Sequence, residues 1–226
     1  MSAPPPTFDA STIVIVRPSP DLDGTSQDSA DDVPFEVFLL QRNTRSRFMP
    51  GAFVYPGGRL DPVDASPDTL SLSAGRTPEG CAAALQEPDL DPAHAVALFA
   101  AALREAFEEA GVLLIQPPVA LSADALAAAR VAAHADHATW IALLRDLGAQ
   151  LDLAATHPFA HWITPESEPR RFDTRFFLAV CPAWQRDLLS HDTHETIAST
   201  WITPAAALDR HARGDLMLPP PTLCTL

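Results

Sequence analysis

Lysine is absent from the 226-residue chain: all fifteen basic side chains are arginine. That excludes Schiff-base chemistry on a lysine and any Walker-type phosphate loop. Cysteine is scarce. Cys81, Cys181 and Cys224 lie far apart and form no metal-ligand pair, and an odd number of isolated thiols fits a reducing compartment. Positive charge is outweighed throughout, and a formal net charge of −14 argues against a long polyanion such as DNA as partner. A small anionic substrate is still open, because a metal and a few local arginines reverse the sign at one site. Long apolar runs are missing too. The one near the middle, Ala95 to Leu103, is far too short to span a bilayer. The first ten residues, MSAPPPTFDA, have no basic stretch followed by an apolar run and so do not read as a signal peptide. A cytoplasmic protein without a membrane partner is the expectation.

What is present is globular. The chain is 47% hydrophobic with eleven Phe and four Trp, and its 23 Pro are scattered among apolar segments, which excludes wholesale disorder. The length suits one elaborated domain over residues 11–226 behind a flexible leader at 1–10. Strands are predicted at Thr12–Arg17 (TIVIVR) and Phe35–Gln41 (FEVFLLQ), with the acidic, turn-rich PSPDLDGTSQDSADDVP between them as a mobile hairpin loop. Gly51–Tyr55 reads as a short strand closed by Pro56-Gly57-Gly58. Residues 65–90 show little pattern and read as an insertion. A long helix is predicted from Pro92, capped by Asp91 and stopped by Gly111, with Val96, Leu103, Phe107 and Ala110 at helical spacing. Further helices are expected at Ser122–His134, Asp136–Leu147 and from Thr203-Pro204 to Arg213. Strands are expected at Phe159–Ile163, at Phe172–Val180 and ending on Trp201-Ile202. This order predicts an α/β sandwich, helices packed on a mixed sheet.

The chemistry concentrates in Arg104-Glu105-Ala106-Phe107-Glu108-Glu109-Ala110-Gly111-Val112. On a helix Glu105, Glu108 and Glu109 share one face within about one turn. They repel one another and sit at the negative end of the helix dipole, an arrangement that folding alone does not favour. A hard divalent cation turns that repulsion into coordination, and all-oxygen ligands suit magnesium or manganese.

The segment resembles the second half of the Nudix box, Arg-Glu-apolar-x-Glu-Glu-x-Gly-apolar, at every defined position. The first half departs from the pattern. Gly58 is followed by five residues and then Asp64 in place of the usual glutamate, and 39 residues separate Asp64 from Arg104 where the motif has seven. A box split by an insertion, here about 65–97, resembles the subgroup of peroxisomal coenzyme A diphosphatases, whose pattern YPGGRLDPVD and REAFEEAGVLL match. The resemblance continues through RRFDTRFFLA and WITPAAAL.

It implies a Nudix-type α/β/α sandwich with extra helices from the insertion. It also implies Glu105, Glu108 and Glu109 as metal ligands with the carbonyl of Gly57 or Gly58, Arg104 holding a carboxylate in place, and Glu195 as a late acid completing the metal shell or acting as base. Asp64 is left to support the loop. Activity is then magnesium- or manganese-dependent hydrolysis of a pyrophosphate bond, with a glutamate taking the proton of the attacking water. The substrate implied is coenzyme A or acyl-coenzyme A. The alternatives are an ADP-ribose, dinucleotide or nucleotide-sugar pyrophosphatase and, in another class, a non-catalytic Nudix-fold binder. Candidate substrate-phosphate ligands are Arg42, Arg45 and Arg47 before the Gly-Gly loop, and Arg170 and Arg171 at a later strand. His191 and His194 beside Glu195 lack a third zinc ligand. The family is often dimeric, so a homodimer is expected. The sequence stops at Leu226, where the family commonly continues into a helix.

Overall fold

Period-two alternation sends the apolar side chains of each central strand to opposite faces of the sheet. In β1 (Thr7–Pro18), Ile13 and Ile15 enter one core while Val14 and Val16 enter the other. In β2 (Phe35–Arg42) the split is Phe38 and Leu40 against Val37 and Leu39. A sheet apolar on both faces must be covered on both.

The computed structural model describes residues 5–19, 35–46, 49–192 and 196–226. After β2 come β3 (Phe53–Val54) and β4 (Gly57–Arg59), then α1 (Pro67–Ser71), β5 (Ser73–Ala74) and α2 (Pro78–Leu85). The long helix α3 (Pro92–Ala110) leads to β6 (Ile115–Gln116), α4 (Ala123–Ala135), α5 (Ala138–Asp146) and β7 (Gln150–Asp152). The chain continues through β8 (Thr156–Ile163), β9 (Arg171–Val180), β10 (Thr196–Ile202), α6 (Pro204–Ala212) and α7 (Pro220–Thr225).

The main sheet runs β10-β2-β1-β9-β8, with β3 on β2 and β4 on β1. The β1–β9 pair is parallel and the others antiparallel, so the sheet is mixed. A small sheet, β5-β7-β6, lies apart. One face of the main sheet packs on α3, with α2, α4 and α5 outside it; the other packs on Ala207 of α6 and on Leu216, Leu218 and Leu223. This is the expected α/β/α sandwich.

Helix α3 is set by its ends. Asp91 accepts the His94 N–H, Pro92 occupies the first turn, and Gly111 closes the helix at φ 75° with its N–H on Phe107 and that of Val112 on Ala106. With the sheet on one side and helices on the other, it is buried nearly all round from Ala95 to Glu108, including Arg104, Glu105 and Glu108.

Two expectations are corrected. Residues 7–10 are not a leader: they begin β1 and pair with β9 from Thr7↔Arg171 onward, a long-range ladder invisible to local composition. The insertion is not patternless, since Ser66 caps α1 and Thr77 caps α2, each before a proline in the first turn. β1 and β2 do form the expected hairpin, Val16 opposite Val37, while positions 20–34 of its loop fall outside the described residues.

Candidate active site

The site begins where β1 forks. Its far half pairs with β2, whereas Ala10–Thr12 pair with Arg59–Gly57 of β4. Over this fork lies α3, tied down by Ser11 Oγ donating to the Leu98 carbonyl at 2.7 Å. The strand wedged there has no room for side chains. A Cβ at Gly57 would stand 2.7 Å from the Ser11 carbonyl oxygen, and one at Gly58 would stand 2.2 Å from Glu105 Oε1. Close approach, not backbone conformation, is what requires this glycine pair.

Arg104 organises the acids. Its Nε and Nη2 donate to the two oxygens of Asp64 at 2.8 and 2.9 Å, and Nη1 donates to Glu105 at 2.9 Å and Glu108 at 3.0 Å. Nη2 also reaches the Arg59 carbonyl. One guanidinium thus pins Asp64, at the end of the split first half, to the helix that carries the second half. Glu109 faces the loop and accepts the Gly57 N–H at 2.8 Å.

Burial works against the charged guanidinium of Arg104, yet Glu105, Asp64 and Glu108 outweigh it and hold the group charged far above its ordinary range. Glu105 moves the other way. Burial pushes its carboxyl up, Arg104 pulls it down, Glu108 pushes it up again, and it settles at about 7. The cluster therefore carries more negative charge than its arginine offsets. Among the described residues, no three carboxylate, histidine or cysteine side chains are gathered so as to hold a metal ion as they stand; the Arg104 guanidinium draws Asp64, Glu105 and Glu108 onto itself. The donors nevertheless fit a hard cation: all are oxygens, they are in charge excess, and the missing Cβ of Gly58 leaves Glu105 directly beneath the loop backbone.

Two residues that sequence reasoning missed also reach the cluster. Arg130 of α4 donates through Nε and Nη2 to the Glu108 carbonyl and through Nη1 to Ser190 Oγ. Burial lowers its pKa, partly offset by Asp192 and Glu109. His137 Nδ1 lies 2.8 Å from Glu108 Oε1. The only local signals were a single arginine in an alanine-rich helix and a histidine at a helix start, neither of which names a partner.

The remaining candidates divide. Arg42 ends β2, its N–H donating to the Ala52 carbonyl at 2.9 Å, and it pairs with Thr196 of β10. Among the described residues its buried Nε has no hydrogen-bond partner. Arg45 is exposed in a turn. Arg170 is exposed over the Phe172 ring at 5.2 Å. The Arg171 guanidinium donates to the Thr164 and Pro5 carbonyls, beside Thr7 and about 13 Å along β1 from Ser11. Arg47, His194 and Glu195 lie outside the described residues. Asp192, three positions before Glu195, accepts the Thr196 N–H.

A family model described as the NUDT19 Nudix domain matches residues 8–226. Human (Homo sapiens) acyl-coenzyme A diphosphatase NUDT19 is 33% identical over 220 residues, covering 83% of this chain and 58% of the human one. The Gallus gallus protein of the same name is 32% identical over 231 residues, covering 85% and 61%. This chain therefore spans about three fifths of the length of these relatives. The crystal structure of a NUDIX hydrolase from Alicyclobacillus acidocaldarius superposes with a TM-score of 0.73 at 29% identity, covering 97% of this chain and 89% of that one.

Proposed function

Because the chain belongs to the Nudix hydrolases, in the family of the NUDT19 Nudix domain, we propose that it hydrolyses the pyrophosphate bond of coenzyme A or acyl-coenzyme A with magnesium or manganese. The observation that carries this reading is the charge-excess cluster directly beneath Gly57-Gly58: Asp64, Glu105 and Glu108 buried around Arg104, and the half-buried Glu109 on the Gly57 N–H. Glu105, Glu108 and Glu109 would hold the cation, with the Gly57 carbonyl and Glu195 as further donors. When bound, the cation offsets the charge of the bridging phosphates and acidifies the attacking water.

The chain's own residues do the rest. Arg104, itself held by Asp64, ties Glu105 and Glu108 together on the helix that carries them. A carboxylate of the trio accepts the proton of the water that attacks phosphorus, while the other phosphate leaves. Arg42 has a desolvated Nε with no partner among the described residues, which suits a phosphate contact. The names of the relatives favour coenzyme A over ADP-ribose, a dinucleotide or a nucleotide sugar. Three free cysteines are in keeping with a reducing, cytoplasmic setting, and no described helix is long and apolar enough to cross a membrane.

The test is a panel of coenzyme A, its 3′-dephospho form and ADP-ribose with magnesium, products separated by chromatography. Coenzyme A should exceed dephospho-coenzyme A by tenfold or more in kcat/KM, about 1.4 kcal/mol, and Arg42→Ala should erase that margin while sparing the dephospho substrate. Equal rates, or a preference for ADP-ribose, would leave a pyrophosphatase and remove the coenzyme A assignment. No turnover on any of the three would favour a binder.

A further inference from the structure

We infer that His137, delivered by the helix pair α4–α5, is a positioning residue for Glu108 and sets the affinity of the acidic cluster for a divalent cation. The inference rests on the metal-dependent reading above and extends it to a part of the chain outside the Nudix box.

Contacts from both α4 and α5 fix the helix pair against the end of α3. Trp140, fully buried, stacks on Phe107 with ring centroids 4.8 Å apart. Phe107 precedes Glu108, and Trp140 lies one helical turn after His137. Arg130, on the preceding helix, grips the Glu108 carbonyl with two of its nitrogens and crosses to Ser190 with a third. Its side chain also lies against Gly111, where an added Cβ would come within 3.2 Å of it. His137 then needs no reach of its own: its Nδ1 falls 2.8 Å from Glu108 Oε1.

The Glu108 carboxylate is accordingly held from both sides. Oε2 accepts from Arg104 Nη1 at 3.0 Å and Oε1 faces His137. Glu108 is buried, whereas His137 is about a third exposed (37%), so the histidine lies at the rim and the carboxylate inside. An ionised carboxylate has about four lone-pair sites. Two neighbours leave it capacity for a cation while removing its freedom to rotate. Outer partners of this kind orient a ligand and raise its affinity, and removing one typically costs between tenfold and a hundredfold. Asp136 and Thr139 stabilise the turn that presents the ring: Asp136 accepts the Ala138 N–H through its side chain and the Thr139 hydroxyl through its carbonyl. The ring position is thus a property of the α4–α5 junction rather than of the acidic helix.

Manganese binding to the full-length, substrate-free protein, read by loss of the free-ion electron paramagnetic resonance signal, tests this directly. His137→Ala should weaken binding by about tenfold or more and raise the half-saturating metal for hydrolysis in step. KM for coenzyme A at saturating metal should stay within about twofold. His137→Asn, which keeps a hydrogen-bond donor near the same place, should recover much of the loss, and both variants should unfold within a few degrees of wild type. Unchanged or tighter manganese binding in His137→Ala, with wild type binding metal and turning over normally, would overturn the positioning role alone. Wild type that neither binds manganese nor hydrolyses any pyrophosphate would overturn it together with the functional reading.

Discussion

At the scale of single residues, three neighbouring glutamates have three different environments, so changing each has a different signature. Glu108 is clamped by Arg104 and His137, and Glu109 accepts the Gly57 N–H. A glutamine in either place keeps the shape and one acceptor oxygen but removes a charge. Glu108→Gln and Glu109→Gln should each lower turnover at least a hundredfold, about 2.7 kcal/mol of barrier, with circular dichroism spectra like wild type. Turnover within about twofold of wild type in both would remove the site assignment. Burial sets the fold against the charged form of Glu105. Its folded pKa is raised, from the usual 4.5 to about 7, by burial first and Glu108 next. Its stabilising contribution is therefore fully present below about 4.5 and lost as the pH rises through about 7. In chelator, thermal stability should fall between pH 5 and pH 8. Glu105→Gln should flatten that fall and unfold about 3 °C higher at pH 8, of order 1 kcal/mol for a chain this size, while abolishing turnover. Scanning calorimetry across pH measures both.

At the scale of elements, the strand β4 is crowded by β1 at Gly57 and by α3 at Gly58, and the two glycines relieve different contacts. A methyl group on Gly57 would meet main chain, the Ser11 carbonyl at 2.7 Å and Thr12 Cα at 2.8 Å, which cannot yield. Gly57→Ala should therefore cost about 1–3 kcal/mol of stability. A methyl group on Gly58 would meet only the end of the Glu105 side chain, which can swing aside. Gly58→Ala should unfold close to wild type yet lose more than tenfold in kcat, because the carboxylate it displaces belongs to the cluster. Chemical denaturation and kinetics on the pair separate the two effects; similar stability losses in both would contradict the packing argument.

At the scale of the whole molecule, a net charge of −14 makes cations general stabilisers through reduced self-repulsion, so a specific site must be distinguished from screening. A ligand that binds only the folded state stabilises it by mass action, by about 2.7 kcal/mol at a hundred times its Kd. Millimolar magnesium or manganese should raise the melting temperature more than sodium chloride at the same ionic strength. EDTA should abolish hydrolysis, and either metal should restore it. Full activity in a well-chelated sample would sink the metal-dependent reading.

Some of this molecule was fixed by local chemistry and could be read in order along the chain. Asp91-Pro92 and Gly111 set the ends of α3, because caps act on neighbouring main-chain groups. The spacing of Glu105, Glu108 and Glu109 put three acids on one face, because helical geometry depends on nothing distant. The apolar, β-branched runs TIVIVR and FEVFLLQ marked two strands, because β propensity is a local preference. Tertiary structure decided the rest, for one physical reason: pairing energies depend on which residues meet, and the sequence order does not say which. Only the folded chain joins Asp64 to Arg104 across the insertion, sets Gly58 against Glu105, and turns Thr7–Ala10 from an apparent leader into a strand beside β9. Only it diverts Arg171 to the Thr164 and Pro5 carbonyls and brings Arg130 and His137 to Glu108, because a guanidinium or an imidazole takes whichever acceptor the packing presents.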